Sequence, residues 1–272
     1  MKDILIHVRD FEKRTPAAEF GVRLAATYGA TVTGVYACPQ PLYIAPAYEP
    51  ELMTEAIRNT RELVKDAVQA KKSFLDWTAS LGVPQSEWLV AEGPASNALA
   101  QAATRHDLVI LDHPGGDSGL TWDIPGIILK TGVPCIVLPH HGVHYSPFER
   151  IAIGWNGSPE AMRAVHAALP FLQGKHALLM RGEERDRYLG VEWDPPFNID
   201  EYLRHRGVTV VPHTITAQHE DAGAAMLEEA MRFNADLLVM GAYGRSRFSE
   251  WMLGGATRHV LTWADIPVLL RH

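Results

Sequence analysis

Short apolar segments alternate with amphipathic segments along the whole chain. Ile4–Val8 is an uninterrupted apolar run, which is typical of a parallel strand covered on both faces. The segment after it carries apolar residues three and four positions apart, which predicts a helix over 18–28 that ends at Gly29. The alternation continues to residue 139 and indicates a parallel sheet with helices on both faces. The predicted strands are 4–8, 31–37, 86–93, 107–112 and 135–139.

One predicted helix of the first half is unusually long. It follows a Pro-rich loop and extends from about Leu52 to about Ser80, before a shorter helix over 95–105. Its apolar residues form one stripe at helical spacing, and the stripe is interpreted as core. The stripe consists of Met53, Ile57, Val64, Val68 and Leu75.

The series of strands and helices begins again in the second half. Arg150–Trp155 is predicted as a strand, and the next helix has Ser158 as N-cap and Pro159 at its first position. Further strands and a helix over 221–233 follow. The segments DLVILD and DLLVMG lie 129 residues apart, and VPCIVLP and IPVLLRH lie 133 apart. These offsets indicate an internal duplication, with tandem α/β domains at 1–140 and 147–272.

Composition and charge restrict the class of protein. Of the 272 residues, 47% are hydrophobic and 21% are charged, which indicates a globular chain, and the net charge of -7 argues against general binding of nucleic acid. No apolar run approaches the roughly 18 residues that span a membrane. Cys38 and Cys135 lie far apart and form no metal-ligand spacing. We therefore expect a cytoplasmic protein without a membrane span or structural disulfides.

A glycine-rich stretch follows the predicted strand 235–240. In open parallel sheets, ligands bind beyond the carboxyl ends of the strands. Glycine lets main-chain amides approach an anion, and a helix predicted to begin near 254–257 would add its amino terminus. Arg245 would supply a charge-assisted hydrogen bond. The sequence predicts an anion site here, and a glycine-rich turn without a ligand is the alternative.

The spacing Gly241-x2-Gly244-x9-Gly254 resembles the G-x2-G-x9-G-[ST] signature of the universal stress protein family. The GRS at 244–246, the LGG before a helix and the closing IPVLL are similar to that family too, as is EGPASNALAQAA in the first half. The resemblance extends over nearly the whole chain as two tandem copies. It implies open parallel-sheet domains of the adenine nucleotide alpha hydrolase-like, Rossmann-like type, related by pseudo-twofold symmetry. A subset of the family binds ATP through this signature.

Applied to this chain, the resemblance implies that the second half binds ATP, with or without Mg²⁺. Asn156 stands where ATP-binding members usually carry Asp, and Gly255 stands where Ser or Thr is expected. The end of strand 150–155 and Met180 would face adenine, and the glycine loop would contact phosphates and ribose. The implied nucleotide-binding residues are Trp155, Asn156, Met180, Gly241, Gly244, Arg245, Ser246, Gly254, Gly255 and Thr257.

The first half departs from this signature. Asp112 occupies the position that matches Gly241, and the loop after it is shorter. Asp112, Asp117 and Asp123 are expected to repel a triphosphate. The first half is therefore interpreted as a structural or regulatory partner that has lost the phosphate site.

Other chemistry has weaker support. His140, His141 and His144 could bind zinc, but a solvated linker is the favoured interpretation, and GGDSG at 115–119 follows the wrong strand for a pyrophosphatase loop. No set of nucleophile, base and orienting group is visible. Three hypotheses remain, all without a catalytic residue assigned: an ATP-binding protein of stress response or signalling, a weak ATPase that uses Arg245, Ser246 and Thr257, and a nucleotide-free interaction module.

Assembly is predicted from two apolar segments that should not stay uncovered. Cys135–Leu138 and Val268–Leu270 are expected to pair within one chain around a pseudo-twofold axis. A homodimer is a further possibility.

Overall fold

The computed structural model describes residues 1–40, 50–113, 123–182, 194–216, 221–243 and 255–272. The chain divides into two compact units. The first unit contains Met1–Val133 and Gly142–Tyr145, and the second contains Pro134–His141 and Ser146–His272. The α/β class predicted from the alternating pattern is confirmed in both.

The first unit has a parallel sheet in the order β3-β2-β1-β4. The strand order reverses beside β1, because β2 lies on one side of it and β4 on the other. The strands are β1 Asp3–His7, β2 Thr31–Cys38, β3 Ser86–Glu92 and β4 Leu108–Leu111. The helices are α1 Pro16–Tyr28, α2 Pro50–Gln69, α3 Lys71–Ser80, α4 Ala95–Ala103 and α5 Ile124–Thr131.

Helix α1 is fixed at both ends by residues that favour helix termini. The Thr15 hydroxyl accepts a hydrogen bond from the Ala18 amide, and Pro16 occupies the first turn. Gly29 ends the helix with φ 62°, a left-handed conformation that costs glycine little. Phe20 and Leu24 bury the inner face.

The long helix predicted over 52–80 is two helices, which meet at Ala70. The predicted core stripe is also wrong in part, because Ile57 and Val68 are 37% and 54% exposed. The buried positions follow another face, on which short side chains lie close to the sheet. They are Thr60, Ala67, Phe74 and Thr78.

The second unit has the order β5-β10-β9-β6-β7-β8. Strands β6 to β10 are parallel, and their order repeats that of the first unit, because β9 and β7 flank β6 as β4 and β2 flank β1. The strands are β5 Cys135–Val137, β6 Arg150–Trp155, β7 His176–Arg181, β8 Thr209–Thr214, β9 Leu237–Gly241 and β10 Val268–Arg271. The helices are α6 Pro159–Leu172, α7 Ile199–Arg204, α8 Ala222–Arg232 and α9 Gly255–Trp263.

Strand β5 belongs to the second unit. It pairs antiparallel with β10, with Cys135 opposite Leu270 and Val137 opposite Val268. The first domain expected over 1–140 therefore differs from the first unit, which ends its main segment at Val133. The pairing buries the apolar side chains of both strands. The pseudo-twofold relation of the two domains stays a prediction.

Candidate functional site

The carboxyl ends of β6 and β9 form the switch point of the second unit. The two strands are adjacent and parallel, with Ile153 opposite Val239 and Gly154 opposite Met240. In an open parallel sheet, a crevice that binds ligands is expected at such a switch point. Trp155 ends β6 and Gly241 ends β9. The sequence prediction of a site after β9 thus coincides with the position where this sheet is expected to bind ligands.

Gly241 lies in direct contact with the first turn of α6. A Cβ at this position would be 2.6 Å from the Ala161 nitrogen and 2.7 Å from the Glu160 carbonyl carbon. Both atoms are main chain, so no side-chain rotation would relieve the contact. Gly241 is therefore required for the close approach of β9 to the amino terminus of α6.

The main chain directly after Gly241 is already paired. The Ala242 amide donates to the Arg271 carbonyl at 2.9 Å, and the Ala242 carbonyl is 3.1 Å from Nδ1 of His272. Amides that would bind an anion must therefore come from other parts of this edge. Gly244, Arg245, Ser246 and Gly254, which the sequence analysis assigned to the phosphates, lie outside the described residues.

The turn between β6 and α6 is fixed by side-chain hydrogen bonds. The Asn156 Oδ1 accepts from the Ser158 amide at 3.1 Å, and the Ser158 hydroxyl accepts from the Ala161 amide at 3.1 Å. Ser158 thus caps α6 as the sequence predicts. Asn156 is exposed at the tip of β6, and its NH₂ group remains to donate a hydrogen bond to a ligand.

The predicted adenine contacts are largely buried. Trp155 is 5% exposed and Met180 is 1% exposed, so each could offer a ligand only a small surface. The exposed ring at this edge is Phe197, which is 61% exposed and whose centroid lies 6.3 Å from that of Trp155. None of the patterns described in the sequence singles out Phe197.

Two guanidinium groups lie near the end of β9. Arg271 ends β10 in register with Gly241, and Arg163 lies on α6. Burial lowers the pKa of Arg271, while Cys135 acts to raise it and Arg163 acts to lower it further. Arg163 is also 3.5 Å from the buried carboxylate of Glu160. The two cations outnumber this one carboxylate, so this cluster favours an anion.

The beginning of α9 supplies the last two predicted site residues. Gly255 is exposed as the first residue of the helix, and a Cβ on it would meet nothing within 4 Å. Thr257 is 4% exposed, so its hydroxyl lies within the packed part of the unit. Gly255 is thus accessible to a ligand, whereas Thr257 would have to act from a buried position.

The first unit fills the matching position with a carboxylate of its own. Ile6 lies opposite Ile110 in the first unit, and Ile153 lies opposite Val239 in the second. Asp112 and Gly241 each follow two residues later, so they occupy equivalent positions in the two units. The Asp112 Oδ1 accepts from the Ala17 amide at 2.7 Å, in the first turn of α1, and Oδ2 is 3.5 Å from Nε of Arg9. The sequence predicts that Asp112 repels a triphosphate. In the structure its carboxylate also occupies the amino terminus of α1.

The pKa of Asp112 reflects two opposed effects. Burial raises it, while the Arg9 guanidinium, the Ala17 amide and the Thr15 hydroxyl lower it. Asp123, the second acid expected to repel phosphates, is the N-cap of α5 and accepts from the Gly126 amide at 2.7 Å. Asp117 lies outside the described residues.

The histidine trio does not form a metal cluster in the part of the chain that the structure describes, where no three His, Cys, Asp or Glu side chains are placed to hold an ion. His140 and His141 stack edge to face with centroids 5.1 Å apart, and His141 lies 3.9 Å from Asp265. In the same described residues, no helix has the length and apolar character needed to cross a membrane.

Comparisons with known proteins agree with this architecture. Residues 147–272 match the family model described as Universal stress protein family. A universal stress protein from Archaeoglobus fulgidus DSM 4304 superposes with a TM-score of 0.68 at 16% identity, covering 99% of this chain and 95% of that one. A functionally unknown protein from Pseudomonas aeruginosa PAO1 gives a TM-score of 0.55 at 12% identity, covering 99% and 92%. At these identities the two structures show the fold alone. No curated protein matches the chain.

Proposed function

We propose that the universal stress protein domain at 147–272 binds an adenine nucleotide in the crevice between β6 and β9. The ligand is ATP, with or without Mg²⁺, and the protein acts in the cytoplasm in stress response or signalling rather than as a strong catalyst. The first unit is proposed to be a second domain of the same type that has lost its phosphate site.

One difference between the units carries the proposal. At the matching register position, the first unit places the Asp112 carboxylate on the first turn of α1, 2.7 Å from the Ala17 amide. The second unit places Gly241 there, which has no side chain and lets β9 touch the first turn of α6. The first unit thus places an internal carboxylate at this position, whereas in the second unit the position carries no side chain and the Ser158 hydroxyl caps α6. A phosphate bound at this edge of the second unit would therefore meet no carboxylate at the position of Gly241.

The described side chains suit the remaining parts of a nucleotide. Phe197 offers an exposed ring for base stacking beside the end of β6, and Asn156 offers an amide for the edge of the base. Arg163 and Arg271 add positive charge near Gly241. Gly244, Arg245, Ser246 and Gly254 are proposed to contact the phosphates through the glycine signature, as the family resemblance implies.

Calorimetric titration of the full chain with ATP tests the proposal. We expect one equivalent to bind, and Phe197→Ala to weaken binding by about tenfold, because base–aromatic stacking contributes about 1–3 kcal/mol per base. Trp263→Ala is the matched control, since Trp263 is 67% exposed at the far end of α9. Equal weakening by both variants would show that Phe197 does not stack on the base.

A second variant tests the edge contact. Asn156→Asp supplies the residue that ATP-binding members usually carry, and we expect it to bind ATP more tightly than the parent chain. Absence of binding heat and of thermal stabilisation at millimolar ATP, for the parent and for Asn156→Asp, would reject the proposal. The nucleotide-free interaction module would then be the better description of this domain.

A further inference from the structure

The first unit contains a cleft that is separate from its switch point. Its volume is about 860 Å³, within the range of roughly 300–1,000 Å³ that is usual for small-molecule sites. It lies between the connection from β1 to α1 and the junction of α2 and α3. Neither Arg9 nor Asp112 lines it, so it is not the degenerate phosphate position.

The floor of the cleft is aromatic and rigid. Phe74 and Trp88 are 8% and 6% exposed, with ring centroids 5.0 Å apart. The Trp88 indole N–H donates to the Ala67 carbonyl at 2.7 Å, which fixes the ring. Gly34 lies beneath both rings, and a Cβ there would be 2.7 Å from Phe74 and 2.8 Å from Trp88. The missing side chain at Gly34 leaves room for both rings beside β2.

Two further aromatic rings line the walls. Trp77 on α3 is half-buried, with its ring 6.0 Å from that of Phe74, and the Arg14 guanidinium lies 5.0 Å from its centroid. Phe11, on the opposite wall, contacts Tyr36 edge to face at 4.9 Å. A flat ring that enters the cleft would therefore meet aromatic surface on its floor and on both walls.

The wall that carries Phe11 is a feature of the first unit alone. The connection from β1 to α1 contains residues 8–15, whereas the connection from β6 to α6 contains only 156–158. The extra residues supply Phe11 to Arg14, all of which line the cleft. The first unit thus has additional chain at the place where it builds this cleft.

The rim of the cleft carries charges of both signs. Lys13, Arg14 and Lys72 line it together with Glu12 and Asp76. Lys13 lies 3.8 Å from Asp10, so the charges around the rim balance. Such a rim can accommodate a monoanion beside Arg14 and Lys72, whereas a triphosphate would bring about four negative charges to it.

We propose that this cleft binds a planar aromatic molecule with one carboxylate or sulfonate. Its ring packs against Phe11 and Trp77, above the small exposed surface of Phe74 and Trp88, and its anion faces Arg14 and Lys72. The proposal does not depend on nucleotide binding in the second unit, because every residue that lines the cleft lies in the first.

Fluorescence titration of the full chain with 8-anilinonaphthalene-1-sulfonate, an aromatic monoanion, tests the proposal. We expect one saturable site, with Trp77→Ala and Lys72→Glu each weakening the affinity by at least about fivefold. The matched controls are Trp263→Ala and Lys71→Glu, since Lys71 neighbours Lys72 on α3 but does not line the cleft. Unchanged thermal unfolding of each variant shows that its fold is intact.

Three outcomes would overturn the proposal: several weak sites, equal affinities for the Trp77 variant and its Trp263 control, or competition of the probe by ATP. The neutral analogue N-phenyl-1-naphthylamine separates charge from ring stacking. It should lose affinity in Trp77→Ala but keep its affinity in Lys72→Glu. Loss in both would contradict the assigned role of Lys72. ATP binding should stay unchanged in all these variants, so a failure here is distinct from a failure of the nucleotide proposal.

Discussion

Gly241→Ala tests the contact between β9 and α6 that defines the candidate site. The added methyl group would lie 2.6 Å from the Ala161 nitrogen, about 0.8 Å closer than an ordinary contact of about 3.4 Å. The Ala161 amide is held by the Ser158 cap, so the first turn of α6 cannot move away without loss of that hydrogen bond. Overpacking against side chains costs about 1–3 kcal/mol, and against fixed main chain we expect about 3 kcal/mol.

The assay is chemical and thermal unfolding of the full chain. For units of this size each kcal/mol lowers Tm by about 2–4 °C, so Gly241→Ala should lower Tm by about 6–12 °C. Gly255→Ala is the matched control, because a Cβ there meets nothing within 4 Å. It should leave stability unchanged or raise it by up to about 1 kcal/mol. If the two variants unfold within about 0.5 kcal/mol of each other, the close approach at Gly241 is refuted.

Two further predictions concern the first unit. Asp112→Ala removes the acceptor of the Ala17 amide and the carboxylate that lies 3.5 Å from Nε of Arg9, so the free energy of unfolding in urea should fall by about 2–4 kcal/mol. No loss would mean that water replaces the carboxylate. His7 is 2% exposed, and burial, with a smaller effect of Arg9, lowers its pKa from 6.5 to about 3. Because the unfolded chain binds the proton first, stability is lost as pH falls from about 6.5 towards 3, by about 2 kcal/mol at pH 5. His7→Gln should remove that part of the pH dependence, and an unchanged profile would contradict the burial of a neutral imidazole.

The strands could be predicted from the sequence because their signals are local. A parallel strand covered on both faces is apolar at every position, as in Ile4–Val8, and needs no knowledge of its neighbours. The start of α6 could also be predicted, because the Ser158 cap and Pro159 act within one helical turn. The repeated DLVILD and DLLVMG segments indicated the common strand order that both units show.

The face of α2 was misjudged for a physical reason. Its buried positions include Thr60 and Ala67, short residues that let the helix lie close to the sheet, whereas Val68 faces solvent. A prediction from apolar residues at helical spacing assigns large apolar side chains to the core and leaves threonine out. The buried Thr78 further along the same face has its hydroxyl bonded to the Leu75 carbonyl and Ser86 Oγ, which no pattern of hydrophobicity reveals.

The chemistry of the switch points needed the register of the strands. Asp112 could be matched to Gly241 by sequence offset, but its ion pair with Arg9 joins residues more than 100 positions apart. The burial of Trp155 and Met180 and the exposure of Phe197 likewise follow from packing rather than from position along the chain. The sequence could therefore name the edge of the sheet, but not which side chains at that edge face outward.

The same strand order carries different chemistry at the switch points of the two units. A carboxylate after β4 needs an amide and a cation in reach, and the first unit supplies both through α1 and Arg9. At the position that matches Arg9, the second unit has the neutral Asn156, so a carboxylate at residue 241 would not find there the cation that Arg9 offers Asp112. Gly241 in the second unit and the Arg9–Asp112 pair in the first therefore each depend on the residues around them. Gly241→Asp alone should therefore destabilise the second unit, because any side chain at residue 241 would collide with the first turn of α6.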